Sequence, residues 1–197
     1  SGQRKAMNFS SDNVAGAHES VLRAVVEAST NSVPAYGDDA LSAEAETALQ
    51  NLFETECAVF FVTTGTAANA LVLSAICPPW GAVYCHVDAH ILNDENTAVE
   101  LFSGGARLVG IAGHAGKPDP VSLQEAIESA ISHGVHSAQP AVISLSTVTE
   151  AGAVSTPEVL PVYRRLSDRA DMELTVGGAR FAHPTAASSA TTRHHHR

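Results

Sequence analysis

From His18 to Ala28 the apolar positions fall three and four apart, so that Val21, Leu22, Val25 and Val26 share one face. That spacing predicts an amphipathic helix. Ala40 to Phe53 repeats it, with Leu41, Ala45, Ala48, Leu49 and Leu52 on one side. Between them Asn31–Asp39 reads as a loop from its Pro, Gly and Asp content. Then the period changes. Cys57–Val62 (CAVFFV) is a continuous apolar run, β-branched and aromatic, and predicts a strand buried on both faces. Thr63–Thr66 reads as a turn. Ala67–Cys77 is apolar almost all round and predicts a buried helix, stopped by Pro78 and Pro79.

The alternation continues. Strands are predicted at Ala82–Cys85, Ala106–Ile111, Ala141–Thr147 and Glu173–Val176, and helices at His90–Leu101, Ser122–Ser132 and Thr156–Ala170. Five strands alternating with helices predict an α/β domain: a three-layer α/β/α sandwich around a mainly parallel sheet. Ser1–Ala17 reads as an extended N-terminal arm. The domain is expected over residues 18–182. His183–Arg197 carries neither period, and its Ala/Ser/Thr content predicts a disordered tail.

Composition narrows the classes. The 197 residues suit one domain or slightly more, and 45% hydrophobic residues supply a core. Charged residues are only 16%, below the roughly 25% of an average domain. A covered surface, against a partner subunit or further chain, is one expectation from that. The net charge of -10 argues against nucleic acid and against an anionic membrane surface. No apolar run approaches the ~20 residues of a membrane span. Cys57, Cys77 and Cys85 form no CxxC pair, which fits a reducing compartment. The expected location is cytoplasmic.

In open α/β sheets, ligands bind beyond the C-terminal strand ends. Those ends are followed here by TTGTAAN (Thr63–Asn69), HVDAH (His86–His90), TVTEAG (Thr147–Gly152) and GGARFA (Gly177–Ala182). Gly65 allows a tight turn into a helix. The amides of Gly65, Thr66 and Ala67 at its start, with the Thr64 and Thr66 hydroxyls, would suit a phosphate. The same residues also suit an ordinary N-cap by Thr64 with a turn glycine. Neither a nucleotide P-loop nor GxGxxG is present. His86 and His90 are four apart, yet no HExxH or third ligand accompanies them, so no metal site is expected. His90 reads as a flat ring open to stacking, or as a half-buried histidine bonded to a loop carbonyl. Arg180 suits a planar carboxylate, or the surface.

Taken in order, NFSSDNVAGAH (Asn8–His18), PAYGDD (Pro34–Asp39), AVFFVTTGTAANAL (Ala58–Leu71), PPWGAVYCHVDAHI (Pro78–Ile91), FSGGARLV (Phe102–Val109), VTEAGAV (Val148–Val154) and GGARFA (Gly177–Ala182) resemble the threonine aldolase and β-eliminating lyase family, above all its low-specificity L-threonine aldolase branch. The resemblance runs from about Asn8 to Ala182. It implies a pyridoxal-phosphate (PLP)-dependent transferase fold (fold type I, aspartate aminotransferase-like), truncated within its large domain. It implies that Thr64, Gly65 and Thr66 hold the cofactor phosphate and that His90 stacks on the ring. Ser11 and Arg180 would bind the substrate carboxylate, with Tyr36 near a subunit interface by the substrate. The family reaction cleaves a β-hydroxy-α-amino acid to glycine and an aldehyde. Its members are homo-oligomers, dimers or tetramers.

Two departures alter the expectation. The family pattern Asp-Gly-Ala-Arg reads Gly177-Gly178-Ala179-Arg180 here, so the acid that pairs with the cofactor's ring nitrogen is missing. The family's anchoring lysine follows a later strand, whereas this chain has only Lys5 and Lys117. A truncated or frameshifted product is therefore expected, with non-covalent cofactor binding at best and little or no lyase activity. The alternative is a non-catalytic cofactor-binding or assembly subunit that pairs with a full-length homologue.

Overall fold

The computed structural model describes residues 14–155 and 158–179, in two compact units: Ser1–Leu49 and Gln50–Arg197. In the first, α1 (Glu19–Ala28) starts at His18, whose ring accepts the Ser20 amide. Its stripe of Val21, Leu22, Val25 and Val26 is exposed. The second helix is α2 (Ala40–Phe53). Its first turn is fixed by Asp39, which accepts both the amide and the hydroxyl of Ser42.

The larger unit holds a four-stranded parallel sheet in the order β2-β1-β5-β6. These strands are β1 (Gly81–His86), β2 (Arg107–Ile111), β5 (Gln139–Ser146) and β6 (Glu173–Gly177). β1 is buried along its whole length. Its side chains alternate between two cores. Ala82 and Tyr84 join Leu123, Ile127, Ile143, Tyr163 and Leu166. Val83 and Cys85 join Leu73, Val99 and Val142. The first core lies under α6 (Pro120–His133) and α7 (Leu160–Arg169), the second under α3 (Gly65–Ile76) and α5 (Ala98–Ser103). Two helical layers thus enclose the sheet, as the strand pattern predicts, and the three-layer α/β/α architecture stands.

Four local expectations are corrected. Cys57–Val62 forms no ladder among the described residues, and its aromatic side chains are not buried against the sheet. Phe60 is 84% exposed and Phe61 64%. Helix α3 buries Ala70 and Leu73, but Leu71 and Val72 are half-exposed, so its apolar circumference is covered on one side only. The helix expected over His90–Leu101 is two short helices, α4 (His90–Asn93) and α5. It breaks where Asn96 (φ 44°) and Thr97 (φ 62°) are left-handed. The helix expected from Thr156 is described from Leu160 onward.

Sequence reading also missed an antiparallel hairpin, β3 (Gly113–His114) with β4 (Lys117–Pro118). Its two central residues, Ala115 and Gly116, have φ 54° and 79°, the mirror-image turn that matches strand twist. The hairpin braces the loop after β5: the Thr149 hydroxyl donates to the Ala115 carbonyl at 2.8 Å. A Cβ at Gly116 would stand 2.6 Å from the Thr149 Cβ. Gly116→Ala is therefore expected to cost about 1–3 kcal/mol through strain and overpacking. A urea midpoint within error of the parent would contradict this bracing.

Candidate functional site

β1 leads through α4 and α5 to β2 on one side, whereas the next sheet strand, β5, lies on the other. The winding reverses between β1 and β5. A reversal of this kind opens a crevice beyond the strand C-termini. Beyond β1 come His86–His90, and beyond β5 comes Thr147–Gly152.

The two loops meet at Glu150. Its Oε1 accepts the His90 amide at 3.1 Å and the Ser146 hydroxyl at 3.2 Å. The His90 ring is held from another side: Nδ1 lies 2.8 Å from Glu95 Oε1. A carboxylate only accepts, so Nδ1 carries the hydrogen. The same Oε1 accepts the Asn69 side-chain amide at 2.7 Å. The Glu95 side chain is 0% exposed, against 48% for His90. A buried acid therefore fixes the imidazole plane while part of the ring stays open.

Asn69 belongs to α3, whose first turn is the predicted phosphate cradle. Thr64 is its N-cap, and its Oγ1 accepts the Ala67 amide at 3.0 Å. The Ala67 amide, expected to be free, is thus taken, which leaves the Gly65 and Thr66 amides at the helix start. Among the described residues nothing lies within 4 Å of a Cβ built at Gly65, which leaves the backbone there open to an approaching anion. The Asn69–Glu95–His90 chain joins this helix start to the imidazole.

The other expected residues fall differently. His86 is buried, and its Nδ1 accepts the Asp88 amide at 3.1 Å. Among the described residues no three His, Cys, Asp or Glu side chains group as a metal site. Tyr36 lies in the Ser1–Leu49 unit, at φ 66°, with its side chain fully exposed. Ser11 and Arg180 lie outside the described residues, as do the expected tail and most of the arm. The Lys117 Nζ donates to the Val154 carbonyl at 2.7 Å. Lys5 lies outside the described residues.

Sequence reading did not single out Asn69, Glu95 or Glu150. Glu95 sits five residues after His90, past the end of α4 at Asn93, where helical spacing no longer sets its direction. Glu95→Leu leaves His90 Nδ1 and Asn69 Nδ2 without their acceptor. A loss of about 1–3 kcal/mol is expected, read by urea denaturation. A stability gain would mean that the network does not hold the ring.

The model for the beta-eliminating lyase family matches residues 8–196. The chain belongs to the beta-eliminating lyase family. It is 35% identical over 182 residues to the low specificity L-threonine aldolase of a Pseudomonas species (strain NCIMB 10558), across 92% of this chain and 52% of that protein. The chain thus spans about half the length of the curated relatives it matches. Leishmania major threonine aldolase superposes with a TM-score of 0.84 at 24% identity, across 92% of this chain and 53% of that one. A PLP-bound C-S lyase from Staphylococcus hominis superposes with a TM-score of 0.55 at 12% identity, across 82% and 40%. These neighbours share the fold-type-I architecture.

For this beta-eliminating lyase family member, the described residues fit part of the cofactor that the family uses. The Gly65 and Thr66 amides fit a phosphate, and the half-exposed His90 ring fits a flat heterocycle. The ring-nitrogen end does not fit the family pattern, because Gly177 closes β6 without a side chain. The ladder does not forbid one. Among the described residues a Cβ at Gly177 would meet only the Leu145 carbonyl, at an ordinary 3.5 Å.

Proposed function

We propose that this chain carries the phosphate-and-ring-face side of a PLP site of threonine-aldolase type, and that alone it turns over little or no substrate. The observation that supports this most is the Asn69–Glu95–His90 chain, which ties the anion-binding helix start to a fixed, half-open imidazole. The cofactor would supply the electron sink for cleavage of a β-hydroxy-α-amino acid to glycine and an aldehyde. Thr64, Gly65 and Thr66 would bind the phosphate, and His90 would cover one ring face. Ser11 and Arg180 would take the substrate carboxylate, with Tyr36 beside the substrate at a subunit contact.

The impairment follows from the residues present. Gly177 offers no acid to the ring nitrogen, and Lys117 opens β4 with its Nζ on the Val154 carbonyl. Losing a group that stabilises developing charge costs about 3 kcal/mol or more, over a hundredfold in rate. Acetaldehyde release from threonine is therefore expected to equal a PLP-only control. Release clearly above that control would overturn the proposed impairment.

A second reading, an assembly subunit that pairs with a full-length homologue, draws on exposed Phe60, Phe61, Leu71 and Val72. Such apolar surface marks an interaction face. Self-association into the dimer or tetramer of the family draws on the same residues. Co-expression with a full-length homologue, followed by size measurement, separates the two.

A further inference from the structure

We propose that the β3–β4 hairpin positions the His90 ring: through Thr149 and Lys117 it clamps the turn from which Glu150 caps the helix that carries His90. What the ring does for a bound heterocycle rests on the cofactor-site reading above. How the ring is held does not.

Helix α4 has four residues, far below the roughly 12–15 at which a helix stands by itself in water. Its N-cap, Ala89, makes no side-chain cap bond. Asn93 at its far end bonds back into the same segment, to the Val87 and Ala89 carbonyls. The cap comes instead from sixty residues away: the His90 amide donates to Glu150 Oε1 at 3.1 Å. Glu150 therefore fixes the His90 backbone, while Glu95 fixes the ring at Nδ1.

Glu150 is held in its turn by the hairpin. It follows Thr149 in a turn that closes on Thr149 itself. The Thr149 amide donates to the Ala153 carbonyl and the Gly152 amide to the Thr149 carbonyl, both at 2.9 Å. The Ala153 amide donates to the Thr149 hydroxyl at 3.1 Å. That hydroxyl spends its hydrogen on the Ala115 carbonyl of the hairpin, at 2.8 Å. On the other side of the turn the Lys117 Nζ holds the Val154 carbonyl at 2.7 Å. The hairpin thus grips both ends of the turn. It is anchored in the α6/α7 layer, because the Pro118 carbonyl takes the Tyr163 hydroxyl and Asp119 caps α6.

Thr149 is 1% exposed. Without its hydroxyl, the Ala115 carbonyl and the Ala153 amide lose their partners where that is costly. The turn shifts to satisfy them, and Glu150 shifts with it. The Ser146 hydroxyl also holds Glu150 Oε1, at 3.2 Å, and limits the swing. The expected effect is a displaced ring, not a released one.

The ring itself is read by NMR of the uncomplexed chain, with His90 picked out among ten histidines by its loss in His90→Gln. Thr149→Val keeps the side-chain shape and removes the hydroxyl, whereas Thr149→Ser keeps the hydroxyl. Lys117→Met keeps the stem and removes the ammonium. Ile127→Val loosens the core under α6 with no hydrogen bond to lose. The His90 signals are expected to move in Thr149→Val, to move less in Lys117→Met, and to keep their parent positions in Thr149→Ser and Ile127→Val. Unmoved signals in Thr149→Val would overturn the proposal. So would an equal movement in Ile127→Val, which marks general loosening. If Thr149→Val does not fold, Lys117→Met, whose bond lies at the surface, decides the point by the same signals.

A titration then carries the result to the site. Pyridoxamine phosphate, which has no aldehyde and forms no lysine adduct, meets both the helix start and the ring. Inorganic phosphate meets the helix start alone. Thr149→Val should weaken pyridoxamine phosphate about fivefold, the usual size of an effect carried through packed neighbours, and leave inorganic phosphate unchanged. Equal weakening of both would overturn a role directed at the ring. No saturable binding of pyridoxamine phosphate to the parent chain would overturn the cofactor-site reading alone, and the ring signals would still decide this proposal.

Discussion

Leu123→Ala is expected to cost the larger unit about 2–5 kcal/mol. Leu123 is 0% exposed in the core between the sheet and α6/α7, packed with Ile127, Tyr84, Ile143, Tyr163 and Leu166. Two costs add there: the lost transfer free energy of the removed carbons and the cavity they leave. Tyr163 limits collapse into that cavity, because its hydroxyl is tied to the Pro118 carbonyl at 2.6 Å. Typical domains have only about 5–15 kcal/mol in total, so this one change removes a large share. Val121→Ala, two residues earlier on the same helix but 65% exposed, is the control. It should stay within about 0.5 kcal/mol. Urea unfolding of both variants checks this, and equal midpoints would contradict the assigned core.

Alkaline pH should have an effect of similar size. Burial pushes the Cys85 thiol up from its ordinary 9.0 to about 12, and the nearby Glu150 and Glu100 carboxylates add to the rise. The folded chain keeps this proton while the unfolded chain releases it above pH 9. The unfolded state then binds fewer protons, so stability falls as pH rises, by about 1.4 kcal/mol per pH unit between 9 and 12. Burial raises Cys77, Tyr84 and Tyr163 in the same direction. Urea midpoints at pH 8, 9, 10 and 11 should therefore hold level and then drop. Cys85→Ala should flatten part of the drop. A midpoint that rises above pH 9 would contradict the sign.

Much of the fold was legible because burial is periodic. β1 and β5 alternate between two cores, and α2 follows its predicted bounds of Ala40 and Phe53. The parts that escaped have no period. β3 and β4 are two residues each, and their turn rests on left-handed backbone at Ala115, a residue that does not advertise it. The Cys57–Val62 run has strand composition, but a strand needs a neighbour, and composition does not supply one. Within the site, His90 and the Thr64–Thr66 turn could be read because each sits at the end of an apolar run. Glu95 and Glu150 could not. A carboxylate in a polar loop looks solvated until the backbone turns it onto a histidine nitrogen or a backbone amide.

On the proposed function, this chain holds the cofactor by its phosphate and ring-face contacts and without a covalent lysine anchor. PLP titration of the purified chain, read by absorbance and followed by borohydride reduction and peptide mapping, tests that most directly. Saturable binding with no lysine adduct trapped is the expected result. A stoichiometric adduct on Lys5 or Lys117 would contradict the missing anchor, and an absence of saturable binding would contradict the retained site.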